Sequence, residues 1–478
     1  MANQLSQIKH IVQLMLENRS FDQMLGFLYD GNRKTPSGAP FEGLTGDESN
    51  PDDSGRNVAM SKITAGMANA YFKPGADPGE GFYNTNMQLF STMHPAAGTK
   101  PSNRGFVLNF KSAIDYDIAH HYSDSLPGTQ SADIMQMYTP DMLPVMSALA
   151  RGYAVCDQWF ASVPTQTVPN RAFAAAATSQ GRLDNHVKSF TCPSIYGRLA
   201  DNGIDWAIFG YNRAPLTRTD FPDTLHADES HFGLFPDFQR RAASGELPAY
   251  TFLEPDFSAN GNSQHPNYDV AKGEQLIYQV YRTLRSSPAW NDTLLIITYD
   301  EHGGNYDHVA PPATATPPDN SIGEFDNFDF ARFGVRVPSL LISPRIEAGT
   351  VYRAQSGTID HTSVLKTIED RWNVPPLTKR DAAAPSLADV LTLSDPRADD
   401  PLASILPPQS GPDGSRPNVS TPSTLERIHA WRVSKLPIPD EHGRFDHVQP
   451  QLNTSAEIGE YIRDRTAAWD SHLRKVRS

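Results

Sequence analysis

The 478-residue chain contains only two cysteines, Cys156 and Cys192. Two cysteines exclude a cysteine-rich zinc module and a scaffold held by several disulfides. One disulfide is possible, but we expect two free thiols. The sequence also lacks an apolar run near the roughly 20 residues that a membrane-spanning helix needs. It has no strong Lys/Arg run, and its net charge is -14, so we expect no nucleic-acid partner.

The N-terminal stretch "MANQLSQIKHIVQLMLENRSF" does not have the pattern of a secretory signal, because its apolar part is only as long as a strand. We therefore expect a cytoplasmic protein as the chain stands, or an exported one if a leader has been removed. The sequence does not indicate an oligomeric state. An acidic protein that binds an anion needs local positive charge, which a metal ion supplies most simply.

Short apolar runs that alternate with helical patterns predict an α/β fold with a largely parallel sheet. The predicted strands are 10–16, 152–160, 204–210, 249–255, 293–299 and 337–343. The predicted helices are 171–179, 194–202, 273–287, 361–372 and 454–475.

Two long loops and a Pro-rich stretch interrupt this pattern. Residues 30–110 are rich in Gly, Pro, Asn and Asp and predict an irregular cap insertion, and 310–328 predict a second long loop. We expect one large domain over residues 1–400. Residues 401–478 would then be a Pro-rich linker, to about residue 421, and a helical extension that packs on the same domain.

Polar residues follow two of the predicted strands directly. Glu17 and Asn18 come after the first strand, and Asp300 and Glu301 come after "TLLIITY". In a parallel sheet these side chains meet at the carboxyl ends of the strands, where ligands bind. Three carboxylates there would repel one another without a cation, and a hard divalent cation prefers oxygen ligands. We therefore predict one divalent ion, with Ca, Mn, Mg and Zn all open.

Two further loops supply hydroxyl and imidazole groups. The loop after 249–255 reaches His265, and "ASVPTQTVPNRAF" carries Thr165 and Thr167 just before a helix start. Metal coordination lowers the pKa of a threonine hydroxyl, and the free N–H groups of a helix N-terminus suit a phosphate oxygen. The residues alone leave both threonines open as the nucleophile. Asn170 and Arg171 open this helix and are predicted to contact substrate.

Each of these motifs also has an ordinary structural interpretation. "EN" after a strand is commonly a turn or a helix cap, "DE" a surface turn, and "PNR" a helix entry with Asn as the cap. "DEHGG" is compatible with a Gly-rich loop that holds a hydrogen-bonded histidine. The joint placement of these motifs at strand ends favours a functional site.

Five segments together resemble the phosphoesterase family of bacterial phospholipases C, plant non-specific phospholipases C and acid phosphatases of the acid phosphatase A type. The resemblance spans about residues 8 to 372. The segments are "HIVQLMLENRSFDQMLGFL", "AVCDQWFASVPTQTVPNRAF", "LPAYTFLEP", "QHPNYDVAKGEQLI" and "TLLIITYDEHGGNYDHVAPP".

The resemblance implies an alkaline-phosphatase-like fold and assigns roles to residues. The implied metal ligands are Glu17, Asn18, Thr167, Asp300 and Glu301. Thr167 matches the nucleophile, which would be transiently phosphorylated, and His265 matches a histidine that contacts the phosphate or protonates the leaving group.

The chain departs from the family at one pocket motif, where "DPGEGF" places Glu80 at a position that is often histidine. A carboxylate cannot donate a hydrogen bond unless it is protonated. We predict that Glu80 lies in the pocket as a substrate-binding residue, in place of a phosphate-contacting histidine. It would instead bind metal, pair with an arginine or contact a cationic head group. His231 and His226 match further family histidines loosely, with His231 taken as substrate-binding.

Three more histidines, His302, His308 and His361, lie near motif loops. A catalytic role and a loop-stabilising role are both open for them.

The resemblance implies metal-dependent hydrolysis of phosphate esters. We expect phospholipase C-type cleavage of phosphodiesters through a phosphothreonine, on the glycerol side of a phospholipid or in a small-molecule phosphate ester. One alternative is a broad-specificity acid phosphatase, because the same catalytic residues serve monoesters. The alternative of another class is a non-catalytic, metal-dependent phosphate or head-group binding protein, against which the presence of Thr167 counts.

Overall fold

The computed structural model describes residues 3–29, 34–120, 125–186, 189–410, 422–439, 444 and 450–477. Its strands are β1 (His10–Leu16), β2 (Ser49–Pro51), β3 (Asn57–Ala59), β4 (Ser61–Lys62), β5 (Gln136–Met137), β6 (Ala154–Val155), β7 (Trp206–Gly210), β8 (Phe232–Leu234), β9 (Tyr250–Leu253), β10 (Thr293–Tyr299), β11 (Ser339–Ile342) and β12 (Thr350–Val351).

Eight of these strands form one sheet in the order β12-β6-β11-β10-β1-β9-β7-β8. β1 lies inside this sheet and pairs in parallel with β10 on one side and β9 on the other. β11 is the exception, since it runs antiparallel to both β10 and β6. The predicted α/β class with a largely parallel sheet is therefore confirmed.

The central strands are mostly apolar on both faces because both faces of the sheet are covered. Every residue of β10 is buried, as is every residue of β1 except His10. Parallel strands buried on both faces typically have such continuous apolar sequences. The pairing of these two strands fixes the positions of the polar residues that follow them.

The helices are α1 (Phe21–Leu25), α2 (Phe82–Phe90), α3 (Phe106–His120), α4 (Pro144–Gly152), α5 (Thr167–Ala176), α6 (Ile195–Asp201), α7 (Pro222–Leu225), α8 (Phe235–Ser244), α9 (Val270–Arg285), α10 (Thr362–Trp372), α11 (Lys379–Ala383), α12 (Thr424–Ser434) and α13 (Ser455–Arg477). Each predicted helix coincides with one of them. The largest difference is α5, which begins at Thr167, four residues earlier than predicted.

The predicted cap insertion, 30–110, is more ordered than its composition indicates. It contains β2, β3, β4, α2 and the start of α3. Apolar residues of this region pack into a separate small core with Tyr306. The second predicted loop, 310–328, has no helix or strand. Residues 30–33 of the cap and 411–421 of the predicted linker lie outside the described residues.

Helices α12 and α13 pack on each other and against the segment between β7 and β8, which includes Ala214 and Leu225. The contacts to the core include ion pairs of Arg432 with Asp220 and of Arg218 with Asp470. The Trp469 indole also donates to the Leu225 carbonyl at 3.0 Å. The division into residues 1–400 and 401–478 stays a prediction.

Both cysteines are free thiols, as expected. Among the described residues, no helix combines the length and the apolar character needed to cross a membrane.

Candidate active site

The register of β1 and β10 brings the predicted carboxylates together. The two strands end on the pair Leu16 and Tyr299, so Glu17 and Asp300 leave the sheet side by side. The Asn18 backbone N–H donates to Asp300 Oδ1 at 3.1 Å. Asn18 has a left-handed backbone with φ 53°, which turns the chain sharply at the strand end.

The loop after β10 fits against this turn because of a glycine. A Cβ on Gly303 would lie 2.2 Å from the Asn18 carbonyl oxygen, and the φ of Gly303 is +60°. Asn305 Nδ2 donates to the same carbonyl at 3.1 Å. The glycines of "DEHGG" therefore allow close backbone approach beside the site.

A pocket of about 100 Å³ opens at this end of the sheet. Its polar lining comes from several loops and includes Glu17, Asp77, Glu80, Thr167 and His265. The start of α12, residues 422–425, forms part of its wall. The pocket thus combines three carboxylates, a hydroxyl and an imidazole.

The structure separates the two candidate threonines. Thr167 lines the pocket, and its Oγ1 donates to Asn18 Oδ1 at 3.4 Å. Thr165 Oγ1 donates instead to the Leu183 carbonyl at 2.6 Å. Thr167 therefore lies beside Asn18, one of the predicted metal ligands, while Thr165 anchors the neighbouring loop.

The N-terminus of α5 offers fewer free donors than a helix start usually does. The Val168 N–H donates to Asn185 Oδ1 at 2.9 Å, and Pro169 has no N–H. Among the first three residues of α5, only the Thr167 N–H has no partner in the described parts of the chain. The helix terminus thus leaves one N–H for an anion beside the Thr167 hydroxyl.

The buried carboxylates at the strand ends differ in how their charge is compensated. Asp300 accepts from Arg171 Nε at 2.9 Å, and Glu301 Oε2 accepts from the Gly303 N–H at 2.6 Å. Glu301 Oε1 is buried and has no hydrogen-bond partner among the described residues. Burial raises the pKa of Glu17 to about 7 and, with the charges of Glu80 and Asp300, raises the pKa of Glu301 well above its usual range.

Oxygen groups of this kind suit a hard divalent cation, which would engage the Glu301 oxygen and offset the carboxylate charge. The ligand-type atoms that converge within 4.8 Å at this pocket are, however, those of Asp77, Glu80 and His265.

A second acidic group, Asp22, Asp307 and His308, has its own internal cation. Arg336 pairs with Asp22 at 2.8 Å and with Asp307 at 2.9 Å. His308 Nδ1 lies 2.7 Å from Asp22 Oδ2. This buried ion-pair network fixes the loop after β10 and gives His308 a structural role.

Asp77 is a charged pocket residue that the sequence reasoning missed. Ligand-type atoms of Asp77, Glu80 and His265 all lie within 4.8 Å of one another. Its only sequence signal is its place in "DPGE", three residues before Glu80. As predicted, Glu80 lies in the pocket, where its Oε2 accepts from Asn18 Nδ2 at 2.6 Å.

His265 is held by its own loop. The ring Nδ1 lies 3.0 Å from the Pro266 carbonyl, so Nδ1 donates there and Nε2 is left for the pocket. Buried Arg19 Nη2 donates to the His265 carbonyl at 3.0 Å and fixes the backbone. Burial lowers the pKa of His265, but the charges of Asp77, Glu17 and Glu80 outweigh burial, so the pKa is raised.

Asn170 is a correction to the predicted substrate contacts. Its Oδ1 accepts from the Val163 N–H at 3.1 Å, and its Nδ2 donates to the carbonyls of Val163, Thr165 and Gln166. These bonds use both ends of the amide, so Asn170 shapes the nucleophile loop and does not face substrate.

Arg171 lies beneath the pocket and not on its wall. Its Nη2 donates to the Leu16 carbonyl at 3.2 Å, while its Nη1 is buried without a partner among the described residues. Arg171 therefore orients Asp300 and supplies positive charge to the strand end.

His231 is the second correction. Its ring stacks on Trp206 with centroids 4.1 Å apart, and its Nδ1 lies 2.7 Å from the Trp206 carbonyl. Trp206 is the first residue of β7, so His231 lies at the end of the sheet opposite the pocket.

The remaining candidate histidines make structural contacts. His302 Nε2 lies 2.7 Å from Gln88 Oε1, and His361 Nε2 lies 2.6 Å from the Asp300 carbonyl. His226 packs against Trp469 with ring centroids 5.7 Å apart. The loop-stabilising interpretation accounts for these contacts.

Sequence matches to known proteins cover most of the chain. The model of the phosphoesterase family matches residues 8–375. Non-specific phospholipase C6 of Arabidopsis thaliana is 37% identical over 419 residues, which cover 83% of this chain and 75% of that protein. Phospholipase C A of Mycobacterium tuberculosis is 28% identical over 415 residues, covering 78% and 74%.

Solved structures resemble the chain more distantly. A protein in the alkaline phosphatase superfamily from Vibrio parahaemolyticus has a TM-score of 0.33 and 15% identity, covering 52% of this chain and 65% of that one. This likeness carries no functional argument. The family match over most of the chain shows that the protein belongs to the phosphoesterase family and is a phosphoric ester hydrolase.

Proposed function

We propose that the protein is a metal-dependent phosphodiesterase of the phospholipase C type that acts through a phosphothreonine on Thr167. The observation that carries this proposal is the Thr167 hydroxyl, which donates to Asn18 Oδ1 inside a carboxylate-lined pocket. Relatives named phospholipase C support a phosphodiester, and a phospholipid or a smaller phosphate ester, as the substrate.

The proposed ion would be held by Glu17, Asn18, Asp300 and Glu301, with Thr167 beside them. When bound, such an ion neutralises phosphate charge and lowers the pKa of a nearby hydroxyl.

The chain's own residues would then perform two displacements. The Thr167 oxygen, whose own proton has passed to solvent, attacks phosphorus, and the Nε2–H of His265 gives its proton to the departing alcohol, so that a phosphodiester remains on Thr167. His265, now neutral, takes a proton from water as the water oxygen attacks phosphorus. Thr167 is regenerated and a phosphomonoester leaves. The carboxylates of Asp77 and Glu80 keep His265 protonated for the first step.

A substrate panel tests this proposal against the acid phosphatase and binding-protein alternatives. We expect bis(4-nitrophenyl) phosphate and phosphatidylcholine micelles to be hydrolysed with a higher kcat/KM than 4-nitrophenyl phosphate. A preference for the monoester would favour the acid phosphatase. Binding of phosphate esters without turnover, in protein with verified metal content, would favour the binding protein.

A further inference from the structure

A groove of about 700 Å³ lies next to the catalytic pocket, along the C-terminal helices. Phe257 and Leu425 line both cavities, so the two cavities adjoin each other. One wall consists of α12 and α13, and the other consists of the loops after β7 and β9. Volumes of this size are typical of small-molecule sites, and the proposed catalytic residues leave this groove unused.

His429 is the unusual member of the groove lining. Its side chain is 4% exposed, and its Nε2 has no hydrogen-bond partner in the described parts of the chain. Burial and the charge of Arg432 lower the pKa of His429 to about 3, so the ring is neutral.

The Ala214 backbone raises the pKa of His429 by accepting a hydrogen bond from the ring, and because Nε2 has no partner this bond falls to the other ring nitrogen. That nitrogen carries the proton, and Nε2 is left as an acceptor without a donor. A buried acceptor in this state is costly, so a ligand that brings a donor would satisfy it.

The position of His429 connects it to the catalytic pocket. His429 follows Leu425 by four residues in α12, which places both on one face of the helix, about 6 Å apart along its axis. A substrate whose phosphate lies at Thr167 would therefore pass Leu425 before it reaches His429.

The other groove residues suit a ring that carries hydroxyl groups. The Tyr211 ring is 41% exposed and lies nearly parallel to Phe235, with an interplanar angle of 7°. The carboxylates of Asp256 and Glu460 also line the groove. An exposed aromatic face packs against the C–H face of a saturated ring, and these oxygens accept hydrogen bonds from hydroxyls.

We propose that this groove binds a sugar or cyclitol arm of the phosphodiester substrate, and that His429 Nε2 accepts a hydrogen bond from one of its hydroxyls. The arm is the one that stays on the phosphoryl group when the other alcohol leaves. This inference rests on the proposed phosphodiesterase function.

Two synthetic diesters test the proposal: 4-nitrophenyl inositol phosphate and 4-nitrophenyl cyclohexyl phosphate. They share leaving group, charge and ring size and differ in the ring hydroxyls. We expect kcat/KM for the inositol diester to exceed that for the cyclohexyl diester by at least about tenfold. His429→Phe should lower this ratio by about tenfold, the effect of one hydrogen bond, through the inositol diester alone. His429→Gln, which keeps an acceptor, should restore part of it.

His472→Phe is the matched control, because His472 lies on α13 and stacks on Trp469 outside the groove lining. It should leave the ratio unchanged. A loss of folded protein lowers both rates equally, so the ratio still reports on the groove. A wild-type ratio near one, or an unchanged ratio in His429→Phe, would overturn the proposal. Failure to hydrolyse either diester would overturn the proposed function and this inference with it.

Discussion

Thr167→Ala is expected to lower kcat by at least about 10⁴-fold, because the variant loses the oxygen that forms the covalent intermediate. Thr167 Oγ1 lies at the turn of Asn18, and Thr165 cannot replace it while its own hydroxyl is bonded to the Leu183 carbonyl. Steady-state rates on bis(4-nitrophenyl) phosphate measure the loss. Mass spectrometry of acid-quenched enzyme should place the phosphoryl group on Thr167.

Two variants serve as controls for this prediction. Thr165→Ala removes a hydroxyl two residues away and should retain most activity, with some loss of loop stability. Thr167→Ser keeps the oxygen without the methyl group and should retain part of the activity. A phosphoryl group on Thr165, or unchanged turnover in Thr167→Ala, would show that the nucleophile is assigned to the wrong hydroxyl.

Much of the catalytic end of the sheet was predictable because strand ends are a local feature of sequence. Apolar runs marked β1 and β10, and the residues that follow a run lie at the same edge of a parallel sheet. Glu17, Asn18, Asp300 and Glu301 needed only this rule. The proposed choice of Thr167 over Thr165 needed more, because it rests on the bond of the Thr165 hydroxyl to the Leu183 carbonyl, which the sequence does not reveal.

What the sequence did not reveal depends on long-range packing. Asp77 reaches the pocket from a loop with weak periodicity, and its partner His265 is 188 positions further along the chain. His231 looked like a site residue, but its position is set by stacking on Trp206. The antiparallel direction of β11 was also missed, since an apolar run carries no sign of strand direction.

Removal of the metal is expected to lower turnover by at least about 10³-fold. The phosphate anion would then meet the carboxylates of Glu17, Asp77 and Glu80 without the positive charge of the ion. The test is to chelate the protein exhaustively, verify its metal content, and measure turnover before and after single ions are added back. Full turnover after verified metal loss would contradict it.

Metal binding should also release protons. Burial raises the pKa of Glu17 to about 7, and burial with the charges of Glu80 and Asp300 raises the pKa of Glu301 well above its usual range, so without an ion both carboxyls bind protons more readily than exposed ones. An ion displaces those protons, and its affinity should fall as pH drops below about 7. Calorimetry in two buffers of different ionisation enthalpy counts the protons released.

Glu301→Gln should lower both the number of released protons and the metal affinity, since the amide has no proton to lose at this position. Glu274→Gln is the matched control. Glu274 is also fully buried with a pKa raised by burial, to about 8, but it accepts from the Val145 and Met146 N–H groups at the start of α4. Because Glu274 does not line the catalytic pocket, its variant should release as many protons as the wild type. Equal proton release in Glu301→Gln and wild type would place the ion away from Glu301.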